Sequence, residues 1–141
     1  MSANIAEVNP ADAVEVISRD DLVVRKSFPS GMLRLQVKGV ENYANTIAYW
    51  RVIVGELQGG ALTQVLLVDE LRGLPLLERD WLELVVMMEG VGLDKARIAH
   101  VKPNGRNEIE FCEIYARDAG IDARVFVREQ DAIDWLRAGG A

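Results

Sequence analysis

A short run of apolar residues, Val65-Leu-Leu-Val68, constrains the fold of this chain more than any other feature. Apolar side chains at every position of a short run are typical of a strand that is covered on both faces. The run lies between two predicted helices, over residues 41–57 and 78–89. Strands that alternate with helices of this length pair in parallel through right-handed crossovers. The run therefore predicts an inner strand of a mostly parallel sheet.

The segments around this strand complete the order β-β-α-β-α-β-α-β-α. Residues 33–38 alternate apolar and polar side chains, which predicts a half-exposed strand. Pro29-Ser-Gly31 separates it from an earlier apolar run and indicates an antiparallel hairpin. Further strands are predicted at 97–101 and 123–127, with helices at 107–119, capped by Asn107, and at 129–137.

The predicted fold class is α/β, a mixed, mostly parallel sheet with an antiparallel N-terminal edge hairpin and four helices. Residues 21–141 are expected to form a single domain. Residues 1–20 are expected to form an N-terminal extension, with Val14-Glu-Val-Ile17 as a short extra strand.

Composition limits the classes of partner. Sixteen basic and twenty-two acidic residues give a net charge of −6, which disfavours nucleic acid because that affinity depends on basic side chains. No apolar run is long enough to predict stable insertion into a membrane. The lone Cys112 and an N-terminus without a basic or apolar signal segment predict a cytoplasmic protein.

Few residues could support catalysis. One His and one Cys are too few for a zinc site, so neither a metal nor another cofactor is expected. His100 lies in an apolar strand and is interpreted as satisfied locally, and Cys112 as a buried, inert thiol. The serines lie outside any nucleophile-elbow motif, and no glycine-rich phosphate loop is present. The chain is therefore expected not to be an enzyme.

Polar residues follow two of the predicted parallel strands, where open α/β sheets bind ligands. Asp69 and Arg72 follow the first of these strands, and Lys102 and Asn104 follow the second, so these four are candidate ligand or partner residues. The aspartate and lysine are also found in phospho-receiver domains. A receiver, however, places a further strand–helix unit between them, so that interpretation is disfavoured.

The order and spacing of several segments resemble the STAS superfamily, and within it the single-domain SpoIIAA-like proteins. The resemblance covers residues 22–138. It depends on the first hairpin, on Val65-Leu-Leu-Val-Asp69 leading to Arg72-Gly73, and on a final strand, acidic turn and Ala132-Ile-Asp-Trp-Leu136. It implies a regulatory or protein-interaction domain.

Phosphorylated members of that superfamily carry a serine at the start of the helix after the Val-Asp strand. Here Glu78, Arg79 and Asp80 occupy the matching positions, and no Ser or Thr occurs after Thr63. A phosphorylation switch is therefore not expected. The three residues remain candidates for contact with a partner, although capping of the helix is the simpler interpretation.

Two predicted helices are more apolar than packing on one sheet requires. Trp81, Leu84, Val85 and Met88 suffice to cover a sheet, which leaves other apolar side chains for an interface. The candidate interface residues are Trp50, Trp81, Leu82, Val86 and Met87.

Three functions follow from these features. The first is a non-catalytic interaction module, a homodimer that uses the second helix and the loops around Arg72 and Lys102 and that binds a further protein. The second is a carrier or sensor of a small apolar, lipid-like ligand. The third is an enzyme that uses Asp69, Glu70, Glu78 or Asp80 together with Lys102.

Overall fold

A computed structural model describes residues 14–139 and has the predicted α/β fold, with four helices and one six-stranded sheet. The strands are β1 (Glu15–Arg19), β2 (Leu22–Ser27), β3 (Leu33–Val40), β4 (Gln64–Arg72), β5 (Arg97–Val101) and β6 (Asp122–Phe126). The helices are α1 (Tyr43–Leu57), α2 (Glu78–Met87), α3 (Phe111–Asp118) and α4 (Glu129–Gly139). Short 3₁₀ turns occur at Pro29–Gly31 and Leu93–Lys95.

The strands lie in the sheet in the same order as in the chain, β1 to β6. The first three are antiparallel, and β3 to β6 are parallel. Because right-handed crossovers that all advance in one direction place their helices on one face, α1, α2 and α3 share a face of the sheet. Helix α4 follows the last strand and covers the opposite face.

The run Val65–Val68 is an inner strand, as predicted, and none of its four residues is more than 4% exposed. Val65 and Leu67 pack against α1, α2 and α3. Leu66 and Val68 pack against Ala132 and Leu136 of α4 in a second core cluster. One strand therefore joins two cores, because successive side chains of a strand point to opposite faces.

Several boundaries differ from the prediction. Strand β4 continues to Arg72, since Leu71 still packs in the core. Helix α3 begins at Phe111 instead of near Asn107, because the Asn107 N–H is bound by the Glu110 carboxylate at 2.5 Å in a turn before the helix. The predicted extra strand is present as β1. The rest of the predicted N-terminal extension, residues 1–13, lies outside the described residues.

We predict that Gly39→Ala destabilises the domain strongly. Gly39 has a φ of +138°, and a Cβ there would lie 2.0 Å from the carbonyl oxygen of Asp21, in the turn before β2. We expect a loss of about 3 kcal/mol or more in the free energy of unfolding, measured by urea titration. The matched control is Gly31→Ala, which also has a positive φ but has open space around the added carbon. It should cost about 1 kcal/mol, and equal losses for the two variants would contradict the prediction.

Candidate functional site

Five polar or ionisable side chains lie buried together beneath the carboxyl ends of β4 and β5. They are Asp69, His100, Lys102, Glu110 and Cys112, each less than 10% exposed. The first three point to the face that carries α1, α2 and α3, because alternate residues of neighbouring parallel strands share a face. The other two lie at the start of α3. We call these five residues the buried polar cluster.

A hydrogen bond between neighbouring strands connects Asp69 to His100. The Asp69 Oδ2 atom lies 2.8 Å from His100 Nε2, and Oδ1 accepts the Leu71 N–H at 3.0 Å. Burial alone raises the pKa of Asp69, but the hydrogen bond and charge of His100, together with the Leu71 N–H, outweigh it and lower this pKa. Asp69 is therefore ionised near neutral pH, so His100 Nε2 carries the proton that it donates.

Cys112 faces the other nitrogen of the same imidazole. Its Sγ lies 3.9 Å from His100 Nδ1 and 3.7 Å from Glu110 Oε1. Burial raises the pKa of the Cys112 thiol to about 12, so the sulfur keeps its proton. The order Asp-His-Cys is that of a nucleophile triad, but nucleophilic attack requires an accessible thiolate. In this state the cysteine is a buried donor and not a nucleophile.

An ion pair between Lys102 and Glu110 closes the other side of the buried polar cluster. Lys102 Nζ lies 2.5 Å from Glu110 Oε1, while Glu110 Oε2 accepts the Asn107 N–H. Burial alone lowers the pKa of Lys102, but the nearby Cys112 and Glu110 outweigh it and raise this pKa. The pair therefore holds the loop before α3 against the end of β5.

The cavities next to the buried polar cluster are small. A polar cavity of about 40 Å³ is lined by Glu41, Asp69, Leu71, Lys102, Asn104, Gly105 and Asn107. Burial, and then the negative charge of Asp69, raise the pKa of Glu41. An apolar crevice of about 30 Å³ is lined by Trp50, Trp81, His100 and Cys112 among others. Because a water molecule takes up roughly 30 Å³ in the liquid, each space is of the order of one water.

The structure separates the predicted ligand residues into two environments. Asp69 and Lys102 are buried and line the same small cavity, so they do not form an open loop site. Arg72 and Asn104 are exposed, and Arg72 Nη2 lies 3.5 Å from Asn104 Oδ1. The strand ends do converge, as predicted. The charged groups between them, Asp69 and Lys102, are however bound by other side chains of the chain, His100 and Glu110.

The acidic residues at the start of α2 form hydrogen bonds with the N-terminal end of that helix and with the neighbouring helix α3. Asp80 Oδ2 accepts the Leu77 N–H at 3.2 Å, which caps the helix. Glu78 accepts a hydrogen bond from the Tyr115 hydroxyl of α3, and Arg79 is exposed. Glu70 bonds Gln36 on the opposite face of the sheet from Asp69. Of the carboxylates in the enzyme hypothesis, Asp69 lines the same small cavity as Lys102. Glu70, Glu78 and Asp80 are engaged elsewhere and do not converge on Lys102.

Two of the candidate interface residues are part of the core. Trp50 is 7% exposed and Trp81 is 5% exposed, so neither is available to a partner in this conformation. Leu82, Val86 and Met87 are 45–58% exposed, as the interface hypothesis requires. The sequence pattern places Trp81 on the face of α2 that suffices to cover the sheet, so its burial agrees with that pattern. Trp50 lies on α1, where the pattern does not show which of the excess apolar side chains are buried.

The buried polar cluster was not predicted as a unit. The available signal was the placement of His100 one strand away from Asp69, at corresponding ends of two apolar runs. Within residues 14–139, no three His, Cys, Asp or Glu side chains are arranged to hold a metal ion. In the same part of the chain, no helix has both the length and the apolar character needed to cross a membrane.

Comparison with known proteins gives a similarity of fold. No protein-family model matches the chain, and no curated protein matches it. A chain of the Pseudomonas malonate decarboxylase MdcD-MdcE hetero-dimer is similar, with a TM-score of 0.52 and 11% sequence identity. The similarity covers 91% of this chain and 81% of that chain. At this identity it shows the fold alone.

We predict that Asp69→Asn removes an acid-sensitive part of the stability. A carboxyl group whose pKa is lowered by folding stabilises the domain at pH values above its ordinary pKa, and this contribution is lost as pH falls through the folded value. The difference in unfolding free energy between wild type and variant should be largest near neutral pH and should shrink below about pH 4. Urea titrations across pH measure it. A difference that stays constant over this range would contradict the assignment.

We predict the opposite dependence for Cys112. The folded state holds the Cys112 thiol proton more tightly than the unfolded state does. The protonated thiol therefore contributes fully to the free energy of unfolding below pH 9, and this contribution declines as pH rises towards 12. Relative to Cys112→Ala, the free energy of unfolding of the wild type should fall by about 1.4 kcal/mol between neutral pH and pH 10, as measured by urea titration. Parallel curves for the two proteins from pH 7 to about 10.5 would show that the thiol is not buried in this way.

Proposed function

We propose that this chain is a non-catalytic regulatory domain of the STAS, SpoIIAA-like kind, which binds a protein partner through α2 and also associates with itself. The observation that carries the proposal is the contrast between two sides of α2. One side packs into the core beside the buried polar cluster, while Leu82, Val86 and Met87 face solvent. The side chains that could take part in chemistry, such as His100 and Cys112, are therefore buried, whereas the apolar side chains on the outer side of α2 are exposed.

The closed state of the buried polar cluster supports a non-catalytic role. The charged groups there are paired with one another, and the adjacent cavities have room for about one water each. An acyl or phosphoryl substrate would need a larger opening to reach His100 or Cys112. These two cavities also give little support to a carrier that holds its ligand beside the buried polar cluster, because a lipid-like ligand needs a cavity of several hundred Å³.

The exposed side of α2 has the composition of a binding surface. Leu82 and Val86 are one turn apart and lie at the centre of the exposed side, with Glu83 and Glu89 near them. Leu74 and Leu77, which precede the helix, are also exposed. We therefore expect a partner protein with an apolar groove that is bordered by basic side chains.

We predict that Leu82→Glu/Val86→Glu weakens partner binding without unfolding the domain. The partner is captured from an extract of the source cells on the immobilised wild-type chain, purified, and titrated by calorimetry. We expect the Kd to rise by about ten-fold or more, because two apolar contacts are replaced by charges in a desolvated interface.

The matched control is Val40→Glu/Val127→Glu, which adds the same charge at side chains of similar exposure, 44% and 42%, away from α2. Circular dichroism checks that each variant is folded. If every captured protein binds both double variants equally, the assignment of α2 as the binding surface is wrong.

A further inference from the structure

Side chains from the rest of the fold bind one edge of the sheet, and the other edge is exposed. At the β6 edge, side chains of α3 occupy the outward backbone groups. Glu113 Oε2 accepts the Val125 N–H at 2.7 Å, and Arg117 Nε donates to the Ala123 carbonyl oxygen at 2.9 Å. Strand β1 forms the other edge, and all five of its residues are exposed. An edge strand with free backbone groups is a template for pairing with another strand.

The outward backbone groups of β1 can be identified from the ladder. The Val40 N–H donates to the Asp21 carbonyl oxygen, so odd-numbered residues of β2 direct their backbone groups towards β3. Its even-numbered residues, including Val24, therefore bond β1, where Val24 is paired with Ile17. By alternation, Val16 and Ser18 direct their N–H and C=O groups away from the sheet. Within residues 14–139, only β2 pairs with β1.

From this geometry we propose that β1 pairs with β1 of a second copy of this chain, antiparallel and centred on Ile17. In that register the backbone groups of Val16 bond those of Ser18 of the second copy, and the two-fold axis repeats both bonds. The two sheets then form one continuous sheet. The proposal specifies the self-association that is part of the proposed function.

The side chains of β1 are complementary to themselves in this register. Glu15 lies opposite Arg19 of the second copy, Arg19 lies opposite its Glu15, and the two Ile17 side chains meet on the axis. These are the closely spaced positions of an antiparallel pair, where side chains interact most strongly. Shifting the centre by one residue to Val16 or Ser18 places a charged residue opposite Ile17 instead. The sequence of the strand therefore selects one register.

The face on which these residues lie also favours a second copy. Glu15, Ile17 and Arg19 lie on the face of β2 residues Leu22, Val24 and Lys26, which is the face that α1 covers. Ile17 is 38% exposed, so its pairing would extend the apolar core to the edge strand. Natural edge strands often carry charges that block pairing. Here the charges are arranged at the two ends of the strand, with opposite signs, and favour a two-fold contact.

The test uses charge reversal in the full chain, with Kd values measured by sedimentation at low ionic strength, where exposed ion pairs are least screened. The wild type should dimerise. Glu15→Arg and Arg19→Glu should each weaken the dimer by about ten-fold or more, because like charges then face each other twice. An equimolar mixture of the two variants restores opposite charges at both positions and should restore dimerisation. The double variant Glu15→Arg/Arg19→Glu should do the same.

Rescue separates an interface from simple damage to the hairpin, since Glu15→Arg also removes the contact of Glu15 with Lys26, whose Nζ lies 3.5 Å from Glu15 Oε1. A monomeric wild type, or dissociation that neither the mixture nor the double variant reverses, would overturn the proposal. A chain that dimerises only after residues 1–13 are deleted would also overturn it, because the edge would then belong to that segment. Leu82→Glu/Val86→Glu should leave the dimer intact, so the two proposals fail independently.

Discussion

Right-handed crossovers between β3 and β6 place three helices on one face of the sheet, and the character of the candidate site depends on that constraint. Asp69, His100 and Lys102 all point towards this face, and each is less than 10% exposed. Buried polar groups are costly unless they are hydrogen-bonded, so they must be satisfied by one another and by residues of the covering loops. The result is a connected network where an open α/β protein of similar topology would have a binding cleft.

The fold was predictable because its local signals agree with one another. The apolar run at Val65–Val68, the alternation at residues 33–38 and the Pro-Ser-Gly turn each predict one element, and each element is present. The boundaries that differ depend on tertiary contacts. Helix α3 begins late because Glu110 is engaged by Lys102 and by the Asn107 N–H, and the sequence around Asn107 contains no sign of that ion pair.

The candidate site was predictable only as a location. Strand periodicity places Asp69 and Lys102 at the same end of the sheet, which is correct, but it does not give their exposure. That depends on Glu41, at the entry to α1, and on residues 104–110, which close over the strand ends from distant parts of the chain. The interpretation of His100 as satisfied locally is close to the finding, although its partner is on the neighbouring strand. The burial of Trp81 follows from the apolar face of α2 that suffices to cover the sheet. The burial of Trp50 could not be assigned, because α1 has more apolar side chains than one sheet face requires.

The short helix α3 links the site to the edge of the sheet. Its first turn contributes Cys112 beside Glu110 of the buried polar cluster, and Glu113 and Arg117 bind the outward backbone groups of β6. A crossover helix can protect an edge in this way because it packs against the strand that follows it. The antiparallel strand β1 enters the sheet through a two-residue turn, without such a helix. The topology that closes the site and seals one edge therefore leaves the opposite edge dependent on contacts from outside the sheet.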